Sequence, residues 1–593
     1  MAGNHKHERS TLFSKAHPMS DEDHGETFRG YSLSTERMGS ATNPGTEMQV
    51  TEVESRLREG MKVVEAGMLD IRRFESIPTE HFRDMKRLAN LAGAEVTMHA
   101  PLINPAGFQG DRWGGEEARE TAERQFKSVI AKSLEANPQG NIPIVIHAAG
   151  DGSTPANIFE RGPKGEFEKK AIFVVNQING STEQIVRDDY GNKHETPEEI
   201  LKKKNIKSWR ETLSQVQESM AKRDEFDREL NLANEIAKKI DDFNKTAGKQ
   251  LSQEEMANKL TYDERRILGN TQENFRRRGI YDSLLKDNVE AITKISVKLG
   301  REESKKIAAR IDKIYSESDD PHGDALKFLI EKEIKEGFRP EILKPIEEFS
   351  KERVAETFSN LAVWAKDYAE KKGYKAPTIV AENFFPETAF STADSMKDLI
   401  EESRKMAEEQ LIAKGMSASA AKREAEILIG VTWDVGHINN FKKFGFKDED
   451  IIKETEKISK YVKHLHMHDN LGMEPSHLAV GMGNVPLKGI LNALREEGYD
   501  GRAILEGGAA AATFKTSDFR YSLQSLDAPI YGAGTAGAGW GNVQGYSSHF
   551  SGYGSIFPEQ HFAMYGGGFS QLPTELGGKA GGKGSRFSGT PTE

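Results

Sequence analysis

Val431–His437 reads V-T-W-D-V-G-H. Val431, Thr432 and Trp433 favour a short strand, Asp434 falls where that strand should end, and His437 follows past Gly436, where the backbone can turn sharply. A carboxylate and an imidazole leaving one strand end together can hold a divalent metal. Asp also caps helices and His commonly lies satisfied in polar loops, so one such pair carries little weight alone. The pattern recurs. Met98-His99-Ala100-Pro101, Ile146-His147-Ala148-Ala149-Gly150, Ala381-Glu382-Asn383, His464-Leu465-His466-Met467-His468-Asp469 and Leu505-Glu506-Gly507 each set a histidine or carboxylate at the end of a strand-like run.

The chain of 593 residues contains no cysteine, which excludes disulfides, thiolate metal sites and thiol nucleophiles. Any metal must be held by His and carboxylates, a donor set that suits zinc best and admits Mn, Fe or Co. The net charge of −11 gives no global attraction to nucleic acid, so charge does not favour DNA as a partner, although a local basic face remains open. No apolar run approaches a membrane span and Met1–Glu26 has no apolar signal core, so a soluble, cytoplasmic protein is expected.

The strand ends must be carried by elements that bring them to one place. From Arg29 the chain alternates strand Gly30–Ser34, helix Thr51–Val64, strand Leu69–Phe74, helix Pro78–Leu91, strand Glu95–His99, helix Glu116–Ala136 and strand Pro143–His147. After a long interruption it resumes with helix Lys351–Lys372 and strand Thr378–Glu382, then helix Ser395–Lys414 and strand Val431–Asp434. Helix Asp448–Lys460 with strand Val462–His466, and helix Leu487–Glu497 with strand Arg502–Glu506, complete the series. Eight strands alternating with helices predict an α/β fold, a (β/α)8 TIM barrel on 29–150 and 345–527. Strand ends of that fold converge on one pocket, which would turn six distant segments into one polyvalent metal site.

The interruption, 151–344, holds Ala171–Ile178 and Thr182–Asp188 on either side of Asn179-Gly180, a hairpin signal, and then mostly charged helix, notably Ile206–Phe243 and Glu273–Lys298. A solvated helical bundle or coiled-coil pair is expected. Because this insertion follows strand four, it leaves the C-terminal face of the barrel, where a lid or an arm that docks a protein partner is the natural role. Residues 1–28 read as a disordered tail whose His5, His7, His17 and His24 are solvated. A last helix, Ser517–Leu526, precedes 528–593, a glycine-rich low-complexity tail.

The order H-A-P, I-H-x-x-G, x-E-N, D-x-x-H, H-x-x-D and x-E-G resembles the xylose isomerase-like TIM-barrel superfamily, the endonuclease IV and sugar isomerase-epimerase group. The resemblance covers the barrel and neither the insertion nor the tails. It implies that His466, three residues before Asp469, is the strand-seven ligand, with His464 a buried interior residue and His468 a rival ligand. It also implies a role for His477, which precedes Gly481-Met482-Gly483 as a family histidine precedes its G-x-G. On this resemblance His99, His147 and Glu382 hold one metal, and Glu382, Asp434, His466 and Glu506 hold a second. His437 and His477 hold a third or contact the substrate. Pro475 stands where endonuclease IV has an aspartate ligand, with Glu474 beside it, and Leu102 where that family has a DNA-holding tyrosine.

Three classes of function follow from the resemblance. The leading expectation is an endonuclease IV-like hydrolase acting on a phosphodiester, with two or three ions that make hydroxide and clamp the attacking and leaving oxygens. The alternative is a single-metal sugar (phosphate) isomerase or epimerase, in which Glu382 and Glu506 exchange protons with the substrate. The last is a metal-bearing, non-enzymatic scaffold whose arm and tail bind a partner. Glu382 and Glu506 are the expected catalytic residues.

Overall fold

Runs such as V-V-E-A-G, P-I-V-I-H and T-I-V-A-E are mostly apolar, as strands covered by helices outside and by one another inside must be. In the computed structural model eight such strands, all parallel, close into a barrel. They are β1 (Met38–Ala41), β2 (Val63–Gly67), β3 (Glu95–His99), β4 (Pro143–His147), β5 (Thr378–Glu382), β6 (Ile429–Asp434), β7 (Val462–Met467) and β8 (Arg502–Leu505). Each pairs with the next in sequence, and β1 pairs with β8. The structure describes residue 33 and residues 35–137, 142–189, 195–250, 252–299, 303–508 and 518–526. Apart from Leu33, the strand expected at Gly30–Ser34 lies outside these residues, as do the two tails, 1–28 and 528–593.

The covering helices are amphipathic. Thr79–Ala92 buries Phe82, Met85 and Ala89 and stops at Gly93, whose φ of 60° suits glycine. Glu116–Ala136 buries Ala122, Phe126, Val129, Ile130 and Leu134, and Ile346–Lys372 buries Val354, Phe358, Leu361 and Ala365. No helix among the described residues is long and apolar enough to cross a membrane.

Two expectations near the N-terminus are corrected. The helix expected over Thr51–Val64 is Gln49–Arg58, and its assumed last residues, Val63 and Val64, open β2. The strand expected over Leu69–Phe74 is instead the start of a short helix, Ile71–Ser76. Asp70 explains it: Oδ1 accepts from the backbone N–H of Arg72 at 2.8 Å and of Arg73 at 3.1 Å, a cap that outweighs the β-preference of the apolar residues around it.

Strand register decides which side chains are neighbours. Glu382 lies beside His147, Asp434 beside His466, Gly67 beside His99 and Glu65 beside Thr97. With a period of two along each strand, these positions stack in layers inside the barrel.

The described residues form two compact units. One holds the barrel, comprising residues up to Phe173, Ser181–Gln184 and those from Pro345 onward; the other is Val174–Gly180 with Ile185–Lys344. The division falls later than the Asp151 read from the sequence, for a packing reason. Asn157–Arg161 pairs antiparallel with Phe167–Ile172, and the Phe167 ring lies 4.9 Å from Phe441 and 3.7 Å from Phe446.

In the second unit, Thr196 caps helix Pro197–Ala247, exchanging hydrogen bonds with Glu199. Trp209, Leu213 and Val216 on that helix share a core with Leu285, Val289 and Ile292 of Tyr262–Leu299. Ile307, Ile311 and Ile314 of Ser304–Glu317, and Leu326 and Leu329 of Pro321–Glu336, complete it.

Candidate metal centre

The C-terminal strand ends meet around Glu382, whose side chain is fully buried. Its Oε2 lies 3.1 Å from His99 Nε2 and 3.0 Å from His147 Nε2. Its Oε1 lies 2.9 Å from His466 Nδ1 and 4.0 Å from His437 Nδ1. Glu506, one residue past β8, sets Oε1 3.3 Å from His466 Nδ1 and Oε2 3.8 Å from His477 Nδ1. Ligand atoms of Glu382, Asp434, His466 and Glu506 all lie within 4.8 Å of one another. The same is true of His99, Glu382 and His466, and of His437, His468 and His477. All of the site residues read from the sequence therefore belong to one connected cluster.

The D-V-G-H motif works in two ways. Asp434 Oδ1 accepts from the N–H of Gly436 at 2.7 Å and of His437 at 2.8 Å, starting a one-turn helix, Val435–Asn439, that turns His437 back over the strand end. Its Oδ2 has no hydrogen-bond partner and stays open as a ligand atom. A Cβ on Gly436 would collide with the His468 ring, so glycine is needed where the turn passes that imidazole. Asn383 ties β5 to β6, donating to Asp434 O at 3.0 Å and accepting from Asp434 N–H at 2.8 Å.

His468 does not displace His466. Its Nε2 lies 3.1 Å from Asp434 Oδ1, and its ring stacks on His477 at 3.9 Å, so it joins His437 and His477. Glu474 is exposed and belongs to none of these donor groups. His477 sits at φ 42°, a left-handed conformation that few non-glycine residues hold.

Four imidazoles share one anchoring pattern, with Nδ1–H donating to a backbone carbonyl and Nε2 the nitrogen available to a metal. His99 uses Ala100 O at 2.8 Å, His147 uses Gly150 O at 3.2 Å, His437 uses Asn383 O at 3.0 Å and His477 uses Glu506 O at 3.2 Å. His466 is reversed: Nδ1 faces Glu382 and Glu506, while Nε2 lies 2.9 Å from Glu65 Oε1. Glu65 is the residue that sequence reasoning missed. Its carboxylate is buried inside the barrel, 2.8 Å from His464 Nε2 and 3.0 Å from Thr97 Oγ1. A lone carboxylate inside V-V-E-A-G was the available signal, lost once Val63 and Val64 were read as a helix end.

Burial works to raise the Glu382 carboxyl, but His466 and His147 hold it well below the usual range. Glu506 goes the other way: burial pushes it up to about 7, against His466, with Glu382 and Asp434 adding. Burial opposes protonation of His99, yet the hydrogen bond to Glu382 and the charge of that carboxylate lift it to about 9. His477 is pushed down to about 3 by burial, with His468 and His437 adding. So many buried acids and imidazoles need protons or cations for compensation. The nitrogen and oxygen donors, and unpartnered ligand atoms at Asp434 Oδ2 and His437 Nε2, fit divalent ions.

Residues 417–526, which carry β6, β7 and β8, match the family model described as "Xylose isomerase-like TIM barrel". Over those residues the chain resembles that family. "Uncharacterized protein MJ1311" of Methanocaldococcus jannaschii is 33% identical over 78 residues, which is 13% of this chain and 25% of the relative. The chain thus matches about a quarter of that curated relative's length. Among solved structures, the chain is similar to a D-tagatose 3-epimerase-like protein, at 12% identity and TM-score 0.34, covering 83% of this chain and 99% of the other. It is also similar to D-psicose 3-epimerase from Clostridium cellulolyticum H10, at 9% identity and TM-score 0.35, covering 83% and 99%.

Proposed function

We propose that this protein is a divalent-metal-dependent hydrolase of phosphate esters, built on a centre of two or more ions. The number and division of the donors carry the reading. His99, His147, Glu382, Asp434, His437, His466, His468, His477 and Glu506 are more ligands than the four to six that one such ion uses. Glu382 also divides its oxygens, Oε2 toward His99 and His147 and Oε1 toward His466, as a bridging carboxylate does.

On this reading His99, His147 and Glu382 hold one ion, and Glu382, Asp434, His466 and Glu506 hold a second. When bound, paired ions make a hydroxide available near neutral pH and stabilise charge on the attacking and leaving oxygens of a phosphate ester. Phe384 packs its ring 4.3 Å from His147 and makes that flank apolar. His477 is the most exposed of the ligands, its side chain 31% accessible, and it marks the side from which substrate enters.

A single-ion sugar isomerase or epimerase is favoured by a separate observation. Glu382, Asp434, His466 and Glu506 make a complete four-donor set by themselves, with two carboxylates available to exchange protons. Assays in parallel on activated phosphodiesters and phosphomonoesters, and on a panel of ketoses and ketose phosphates, separate the two. The proposal expects ester hydrolysis that His147→Ala lowers by about 100-fold or more. Ketose interconversion without hydrolysis, unchanged by His147→Ala, would replace it with the second reading.

A further inference from the structure

We infer that Glu65 is a positioning residue of the metal centre, orienting His466 so that Nδ1 is its ligand atom. The inference rests on the metal-binding reading of the cluster and extends it one layer deeper into the barrel.

The need for such a residue comes from where His466 sits. His99, His147, His437 and His477 lie at or beyond strand ends, where backbone carbonyls are free to anchor Nδ1–H. His466 is inside β7, paired with Asp434 of β6 on one side and Ile504 of β8 on the other, so the neighbouring carbonyls belong to the barrel ladder. Its second ring nitrogen therefore needs a side-chain acceptor. Glu65 brings a carboxylate to that nitrogen from β2, with Oε1 in ion-pair contact 2.9 Å from His466 Nε2.

Glu65 is itself held for this task. Thr97, its register neighbour on β3, donates from Oγ1 to Oε2 at 3.0 Å, and His464 Nε2 lies 2.8 Å from the same oxygen. Oε2 is thus engaged twice and Oε1 is left for His466. A carboxylate without solvent access is rare unless paired, and here the pairing serves one ligand of the centre. With Nε2 in ion-pair contact with a carboxylate, Nδ1 is the nitrogen that faces Glu382 and Glu506, and the nearby negative charge makes the imidazole a stronger donor.

The test uses the full chain, stripped of metal and titrated with Zn2+ or Co2+ against a chromophoric chelator, with Co2+ absorption reporting the ligand field. Glu65→Gln keeps the size of the side chain and removes its charge. It is expected to weaken one class of ion about 10- to 100-fold, to shift the Co2+ spectrum and to leave the apoprotein's circular dichroism unchanged. In a His466→Ala background the same substitution should have no further effect on affinity, which a merely structural role would not produce. Thr97→Val, which frees Oε2, gives a milder version of the readout if Glu65→Gln is unstable. Affinities within about twofold of the parent for both variants, or an equal effect with and without His466, would overturn the assignment. A parent that binds no divalent ion would defeat the metal reading itself, and Glu65 with it.

Discussion

Glu382 is the residue on which the rest of the centre depends, since His99, His147 and His466 all lie within hydrogen-bonding distance of its two oxygens. Glu382→Gln preserves volume and removes the charge, so bound metal should be lost and turnover should fall by about 100-fold or more, with the fold retained. Metal content, rate and circular dichroism measured on one preparation check this; full turnover in the variant would refute the role. Gly436 offers a steric counterpart. Gly436→Ala drives a methyl into the fully buried His468 ring and should destabilise the barrel by about 1–3 kcal/mol, read as a lower urea midpoint. An unchanged midpoint would show that the turn can relax away from the imidazole.

The elements that were legible in the sequence end in their own ligands. P-I-V-I-H and T-I-V-A-E are short, β-branched and bounded, and both strands came out with the expected limits. The first two strands were not legible, because M-G-S-A carries little β-preference and the Asp70 cap turned an apolar run into helix. That error hid Glu65, whereas the ligands on β3 to β8 survived small shifts in strand limits. Capping also makes a prediction in the second unit. Asp320 caps Pro321–Glu336 through Gly323 N–H at 3.2 Å and pairs with Arg223 at 2.7 Å. The hydrogen bond from Arg223 is the main reason its carboxyl lies below the usual range. A carboxyl lowered by folding stabilises above its unfolded value, about pH 4, and that gain disappears as pH falls through the folded value. Asp320→Asn keeps the cap and loses the charge. It should lower the opening free energy of that helix by about 0.5–1 kcal/mol near neutral pH and by progressively less as pH falls through the folded value. Hydrogen exchange across Leu326–Leu329 would show this, and a difference that grows on acidification would contradict it.

Two compact units on one chain, each with its own apolar core, predict separable folding. Replacing 185–344 by a short flexible linker should leave a barrel with native-like circular dichroism and the same bound metal per chain; an insoluble product would mean that the second unit is required for the barrel to form. The alternation of strands and helices made the barrel legible across the long interruption. The place of the division was not legible, because it depends on Phe159 and Phe167 packing against Phe441 and Phe446 from a distant part of the chain. Whether the nine-donor cluster holds more than one ion is read most directly by elemental mass spectrometry on protein purified without added metal. The expected result is two or more divalent ions per chain, with one lost in His147→Ala while the ion held by Glu382, Asp434, His466 and Glu506 stays. One ion or none per parent chain, with the same count in His147→Ala, would contradict a multinuclear centre.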